Sequence, residues 1–324
     1  LTERRHTLIE GKVPGLSLHD DGRKSIWAVG GGKGGTGKSF FSASLAIQLV
    51  RKENEVILID ADLGGPNLHT FLGVRESQRD LGHFITNKVT DLKDTLSYTS
   101  FDGLKLVRGT DNVLFMSNLN YYKKLKLMRH IKAFESKRVI IDIGTGSSYN
   151  NVDIFLLSNP GILIVNPEPT SIENAYYFIK SCIIRLLKLY IDHYKIQDLI
   201  KRIAVQIQDT SRSIYSFLSE IISQDKFYAD LLYQALQQFQ PCLVINKARD
   251  EKDFLLGKSI VNVVQKYLVI NLNFLGVIPF DEKVHLSLKN FTPYMRQFPQ
   301  GEAASAIRYI TDKLVEKSNI GEPE

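Results

Sequence analysis

The sequence predicts an α/β fold: a doubly wound, mostly parallel sheet flanked by helices, with a helical insertion. Three observations predict it. Short apolar, β-rich runs alternate with longer stretches of helical spacing, the first run passes through a glycine-rich turn into a helix, and one interval between runs is too long for a single crossover helix.

In chain order the candidate strands are Ile26–Val29, Val56–Ile59, Leu104–Val107, Val139–Ile141, Ile162–Val165, Cys242–Ile245 and Phe274–Val277. Continuous apolar runs of this kind are expected of strands covered on both faces. Residues 1–23 are polar, with the turn-like run His19-Asp20-Asp21-Gly22, and read as an N-terminal arm ahead of a domain over 24–324. Between the fifth and sixth runs, Ser171 to Gln240 contains neither Gly nor Pro. Its spacing, as in Ile183-Leu186-Leu187-Tyr190-Ile191 and Ile214-Phe217-Leu218-Ile221-Ile222, predicts two or three amphipathic helices, read as an insertion over about 177–240. The last helix, about Ala303 to Lys317, carries Ile307, Ile310, Leu314 and Val315 and is expected to pack on the sheet.

Composition bounds the function classes. With 324 residues, 44% hydrophobic, 23% charged and a net charge of +6, the chain reads as a globular protein compatible with polyanionic partners. Cys182 and Cys242 stand far apart with no metal-ligand spacing, so neither a disulfide framework nor a zinc or iron–sulfur set is indicated. No apolar run reaches the roughly 20 residues that cross a bilayer, and the polar opening lacks the apolar core of a signal peptide. The expected location is the cytoplasm, or the periphery of the inner membrane.

The residues Gly32-Lys33-Gly34-Gly35-Thr36-Gly37-Lys38-Ser39 satisfy GxxxxGK[ST] between a predicted strand and a predicted helix. Glycines let the backbone N–H groups and the helix N-terminus converge on a phosphate chain. Lys38 then neutralises the β- and γ-phosphates, and the Ser39 hydroxyl is a Mg²⁺ ligand. Asp60 and Asp62 close the second strand and Asp142 closes the fourth, where open α/β sheets place their ligand crevice.

The extra lysine, Lys33, makes the box KGGTGKS, which resembles the deviant Walker A motif of the MinD/ParA family of P-loop ATPases (SIMIBI type). In character the chain is similar to the MinD and FlhG members. The resemblance spans about Ser25 to Tyr176 and Pro241 to Leu314. It implies that Lys33 acts in trans across an ATP-dependent homodimer, that Asp62 orients the attacking water, and that Ser39, Asp60 and Asp142 surround Mg²⁺. It implies a nucleotide site over Gly32 to Phe40, bordered at the base by Asn246 of Val244-Ile245-Asn246-Lys247 and by Pro279 of Gly276-Val277-Ile278-Pro279-Phe280-Asp281. The segment Ile164–Ser171, with Pro167-Glu168, is similar to the family's VxxPE-xxS turn. Asp142-Ile143-Gly144-Thr145-Gly146 departs from the family's DTPAG-like switch II at Ile143 and Thr145.

By this resemblance the chain is a switch that hydrolyses ATP and regulates the position or number of a cellular structure, meeting an unidentified protein partner through the 177–240 insertion. Alternatives are a ParA-like DNA-binding segregation ATPase and a nucleotide-binding interaction module with little hydrolysis. Neither a membrane surface nor nucleoid DNA is indicated as the working surface. The densest cationic run, Lys123, Lys124, Lys126, Arg129, Lys132, Lys137 and Arg138, is expected to be a solvated helix face above a stripe of Leu125, Met128, Ile131 and Phe134.

Overall fold

The computed structural model describes residues 25–62, 65–75, 79–110, 121–196 and 214–319. The expected arm at 1–23 lies outside them. Among the described residues the strands are β1 (Ser25–Gly30), β2 (Val56–Ala61), β3 (Leu96–Tyr98), β4 (Leu104–Val107), β5 (Arg138–Ile143), β6 (Gly161–Val165), β7 (Cys242–Ala248) and β8 (Asn273–Pro279). They form one sheet in the order β3-β4-β2-β5-β1-β6-β7-β8. Every pairing is parallel except β3 with β4.

The short β3 is the strand that sequence reading passes over. Its three residues, Leu-Ser-Tyr, are too few to display a period, and Tyr98 is exposed at the sheet's end.

The pleat divides the core in two. Ile26, Ala28, Ile57, Ile59, Val139, Ile141, Leu163 and Ile245 face one buried cluster. Trp27, Val29, Val56, Leu58, Ile140, Ile162, Ile164 and Val244 face the other. Alternation of side chains with period two sends neighbours to opposite faces, and burial of both faces leaves no polar row on the central strands.

On the second face, α1 (Lys38–Val50) packs beside α12 (Glu302–Asn319), with α11 (Tyr294–Gln297) contributing Tyr294 and Met295. Ile307, Ile310 and Leu314 are fully buried there, as their spacing predicts, and Val315 is partly buried. The first face carries α3 (Leu81–Ile85), α4 (Tyr121–Lys132), α5 (Tyr149–Leu157), α6 (Pro169–His193), α7 (Ile214–Gln224), α8 (Lys226–Gln238) and α9 (Glu251–Leu268). Two further short helices, α2 (Leu68–Phe71) and α10 (Lys283–Lys289), stand at the carboxyl ends of the strands.

Local chemistry sets the helix ends. Pro169 opens α6 at a position where its missing N–H costs nothing, and Asp250 with Asp253 forms a reciprocal capping box on α9. The described part of 177–240 is helical, in α6, α7 and α8, and these helices share the buried cluster of the first sheet face.

The cationic run around α4 departs from its expected form. The buried row of this segment is Lys124, Leu127, Ile131 and Phe134, whereas Leu125 and Met128 are only half-buried. Lys124 pairs with Asp153 of α5, which also accepts from Arg185 Nε at 2.7 Å. Arg138 is buried, donates to Glu53 at 2.7 Å and lies 4.1 Å from the Trp27 ring. Two cations that look solvated in the sequence are therefore interior, because carboxylates distant in the chain compensate their burial.

Candidate functional site

The strand order reverses at β1, which lies between β5 and β6, and the loops leaving the carboxyl ends of β1, β2, β5, β7 and β8 border one crevice. The crevice has a volume of about 800 Å³. Its walls include Gly34, Gly35, Gly37, Lys38, Ser39 and Phe40 from the β1–α1 segment, Asp62 after β2, Thr145 after β5, Asn246 near the carboxyl end of β7 and Pro279 at the end of β8.

The β1–α1 loop is held from beneath. Asn246 Nδ2 donates to the Thr36 carbonyl at 2.7 Å, and Lys247 Nζ donates to the Gly35 carbonyl at 2.8 Å. Gly37 has φ +91°, and a Cβ there would lie 2.2 Å from Asn246 Nδ2. Only glycine satisfies both the left-handed backbone and this approach. Asn246 thus braces the loop with its amide while lining the crevice; the sequence places it only at the base. Gly32 lies against the α6 backbone, outside the crevice wall.

Lys38 opens α1, is buried, and reaches Lys33 O at 3.3 Å. Burial lowers its pKa, opposed by the charges of Asp142 and Asp62. Asp142 is buried and accepts from Ser42 Oγ at 2.8 Å and from the Ser39 hydroxyl. Ser42 was not singled out in the sequence; standing three residues after Ser39, it shares that residue's helix face.

Asp60 pairs with Asp142 across β2 and β5. Its carboxylate accepts from the backbone N–H groups of Asp62 at 3.2 Å and of Asn67 and Leu68 at 3.0 Å, and so ties the loop after β2 to the start of α2. Asp62 faces the loop after β5: a Cβ on Gly144 would lie 3.0 Å from Asp62 Oδ1. That loop is braced in turn by Asn151 Nδ2, which donates to the Thr145 and Gly146 carbonyls at 3.0 and 3.1 Å.

Lys33 is turned away from the loop interior. Its Nζ meets Glu168 Oε2 at 3.0 Å and Thr170 Oγ1 at 2.8 Å at the start of α6. The hydrogen bond and charge of Lys33 lower the pKa of Glu168. Lys38 and Lys33, five residues apart, thus occupy the inside and the rim of the same loop.

Burial, then the charge of Asp142, pushes the Asp60 pKa up to about 7, against the pull of the Leu68 and Asp62 amides. Burial likewise raises Asp142 to about 6, against the Ser39 and Ser42 hydroxyls. Both folded values lie above the unfolded value, so these groups stabilise the fold fully below pH about 4 and less as pH rises through 6 and 7. Denaturant unfolding of nucleotide-free, Mg²⁺-free protein is expected to show this falling stability, with a shallower slope between pH 5 and 7 for Asp60→Asn. Identical slopes in the two proteins would contradict the assignment.

The geometry accommodates a nucleoside triphosphate: a backbone cradle with a buried lysine, Asp62 in its wall close to the buried Asp60 and Asp142, and a crevice reaching Pro279, Phe280 and Val284. Comparison with known proteins agrees. The chain is 24% identical over 292 residues to the antiactivator FleN of Pseudomonas aeruginosa, covering 89% of this chain and 85% of that protein. It is 26% identical over 179 residues to the flagellum site-determining protein YlxH of Helicobacter pylori, covering 55% and 60% of the two chains. Its fold matches the septum site-determining protein MinD of Pyrococcus horikoshii, solved with Mg-ADP, at a TM-score of 0.62 and 18% identity over 93% of this chain and 100% of that one. The signature of the CobQ/CobB/MinD/ParA nucleotide binding domain (CbiA) matches residues 27–293, and the protein belongs to that family.

Proposed function

We propose that this chain is an ATP-hydrolysing switch that dimerises around bound ATP and regulates the position or number of a cellular structure. The observation that carries the reading is the division of labour between its two loop lysines. Lys38 is buried beside Asp62 and Asp142, while Lys33 stands on the rim, held by Glu168 and Thr170. A lysine on the rim can exchange those partners for the phosphates of a second subunit's nucleotide.

In this reading Lys38 and the backbone amides of Gly34 to Ser39 receive the phosphates, and Asp62 orients the water for in-line attack on the γ-phosphate. Asn246 and Pro279 border the base. Ser39, Asp60 and Asp142 fit a Mg²⁺ site: two buried carboxylates with raised pKa values, beside a hydroxyl at a helix N-terminus, form a donor set that a hard dication compensates. When bound, Mg²⁺ supplies charge neutralisation on the β- and γ-phosphates. Asp60 links nucleotide state to structure, since its carboxylate also holds the amides of Asn67 and Leu68 at the start of α2.

The positioning role draws on the relatives' printed names, flagellum site-determining and septum site-determining. A protein partner binding through 177–240 is supported by the exposed Tyr215, Ile222 and Tyr233 on α7 and α8. A membrane contact through α12 is not supported, because its apolar row is buried on the sheet. Among the described residues no helix is long and apolar enough to cross a membrane. The ParA-like DNA surface loses Lys124 and Arg138, which are interior.

Light scattering with ADP and with ATP–Mg²⁺, alongside phosphate release, tests the proposal. ATP is expected to produce a dimer that Lys33→Ala weakens, with slow phosphate release. A monomer in every condition despite tight nucleotide binding would overturn the dimeric switch, and a dimer with no phosphate release would favour the interaction module.

A further inference from the structure

A second hollow lies at the margin of the sheet. β8 ends the strand order and pairs only with β7, so among the described residues one of its edges carries no neighbouring strand. A strand edge of this kind offers backbone hydrogen-bonding groups and is a recurrent place for peptide capture. α9 and α12 flank it, and between them lies a cavity of about 500 Å³ whose lining includes Phe254, Lys258, Val261, Phe274, Tyr309 and Lys313.

The local sequence explains the hollow. The ladder slips where Leu243 pairs with Phe274 and Val244 with Gly276, leaving Leu275 as an extra residue. Gly276 puts no side chain into the space, and a carbon added there would stay 3.7 Å from Ile310 and 3.9 Å from the Tyr309 ring. Phe254 packs on Phe274 with ring centroids 5.3 Å apart, making one wall apolar.

The walls are partly open to solvent, and the two lysines rest on rings and, for Lys313, a carbonyl. Phe254 is 41% exposed and Tyr309 57% exposed. Lys258 Nζ lies 5.2 Å from the centre of the Phe254 ring. Lys313 Nζ lies 4.5 Å from the centre of the Tyr309 ring and donates to the Leu275 carbonyl at 3.2 Å. Among the described residues no carboxylate forms an ion pair with either ammonium group, and the two stand on opposite walls of one hollow.

We propose that this groove docks an acidic, extended segment of a partner protein, with an apolar side chain between Phe254 and Tyr309 and flanking carboxylates on Lys258 and Lys313. The apolar walls contribute only if an apolar group enters, which a bare phosphate chain lacks. The two cations require acids on that same ligand and disfavour basic segments. The site is separate from the nucleotide crevice, and its test uses nucleotide-free protein, so it stands or falls independently of the ATPase reading.

Fluorescence anisotropy of the full chain is the test. The probe is a short dye-labelled peptide alternating Glu or Asp with Phe or Leu, compared with the same peptide bearing Lys at the acidic positions and with a single-stranded oligonucleotide. Wild type is expected to bind the acidic peptide, more weakly as salt is raised. Lys258→Glu and Lys313→Glu should each weaken binding on the order of tenfold, and K258E/K313E should prefer the Lys peptide. Lys313→Arg should retain binding, and Phe254→Ala should weaken it without changing the salt dependence. An unchanged thermal unfolding midpoint for each variant reports an intact fold. Absence of acidic-peptide binding, equal affinity for both peptides, indifference to the double reversal, or preference for the oligonucleotide would each overturn the proposal.

Discussion

Lys38→Ala is expected to lower ATP hydrolysis by about 10²–10³-fold and to weaken ATP binding in parallel, because it removes a buried cation set inside the cradle. The side chain is buried, its desolvation already lowers its pKa, and the nearby Asp142 and Asp62 pull the other way. An incoming polyphosphate meets those same carboxylates. Without the ammonium group it would meet uncompensated negative charge in a site of low dielectric, where each unit of charge has a large effect. Lys247 also lines the crevice, but its Nζ is engaged with the Gly35 carbonyl at 2.8 Å and is not buried as Lys38 is. Titration calorimetry and a phosphate-release assay decide the matter: a variant that binds ATP–Mg²⁺ like wild type and turns it over would remove Lys38 from the site. Asp62→Ala provides the contrast, with hydrolysis lost and nucleotide binding kept.

Gly32→Ala is expected to destabilise the fold and to weaken nucleotide binding together. A Cβ at this position would lie 2.1 Å from the Asn174 carbonyl oxygen and 2.7 Å from the Ala175 nitrogen. These are backbone atoms of α6, which is anchored by the buried Ala175, Phe178 and Ile179. Either the loop or the helix must move. Overpacking of this kind costs about 1–3 kcal/mol, and the displaced loop would misplace the amides that receive phosphate. Gly34→Ala is the internal control, because its added carbon meets only a Thr145 methyl at 3.9 Å. Thermal unfolding and nucleotide binding should therefore separate the two variants. Equal behaviour would mean that the loop does not lie against α6 as described.

Sheet strands and loop were legible because they are local. The GKGGTGKS run, the apolar strands around it and the carboxylates at strand ends all lie within short windows, and strands buried on both faces announce themselves as unbroken apolar runs. β3 left no trace, because three residues carry no period. The α4 stripe was misplaced for another reason: Lys124 counts as solvent-facing in any hydrophobic pattern, yet Asp153, 29 residues on, draws it inside. Arg138 was concealed in the same way by Glu53, 85 residues earlier.

The same distinction runs through the site. The residues proposed to carry the chemistry were named from the sequence, since a glycine-rich turn ending in lysine and serine between a strand and a helix can cradle phosphate, with carboxylates at neighbouring strand ends. How those residues are held was decided by tertiary structure alone. Glu168 and Thr170 on Lys33, Asn246 beneath Thr36, and Asp60 on the amides of α2 join segments that are unrelated in sequence. So does the pairing of Asp60 with Asp142, whose shared burial brings their pKa values to about 7 and about 6. A motif encodes functional groups, while their distances, burial and mutual fields arise only when the sheet brings its strand ends together.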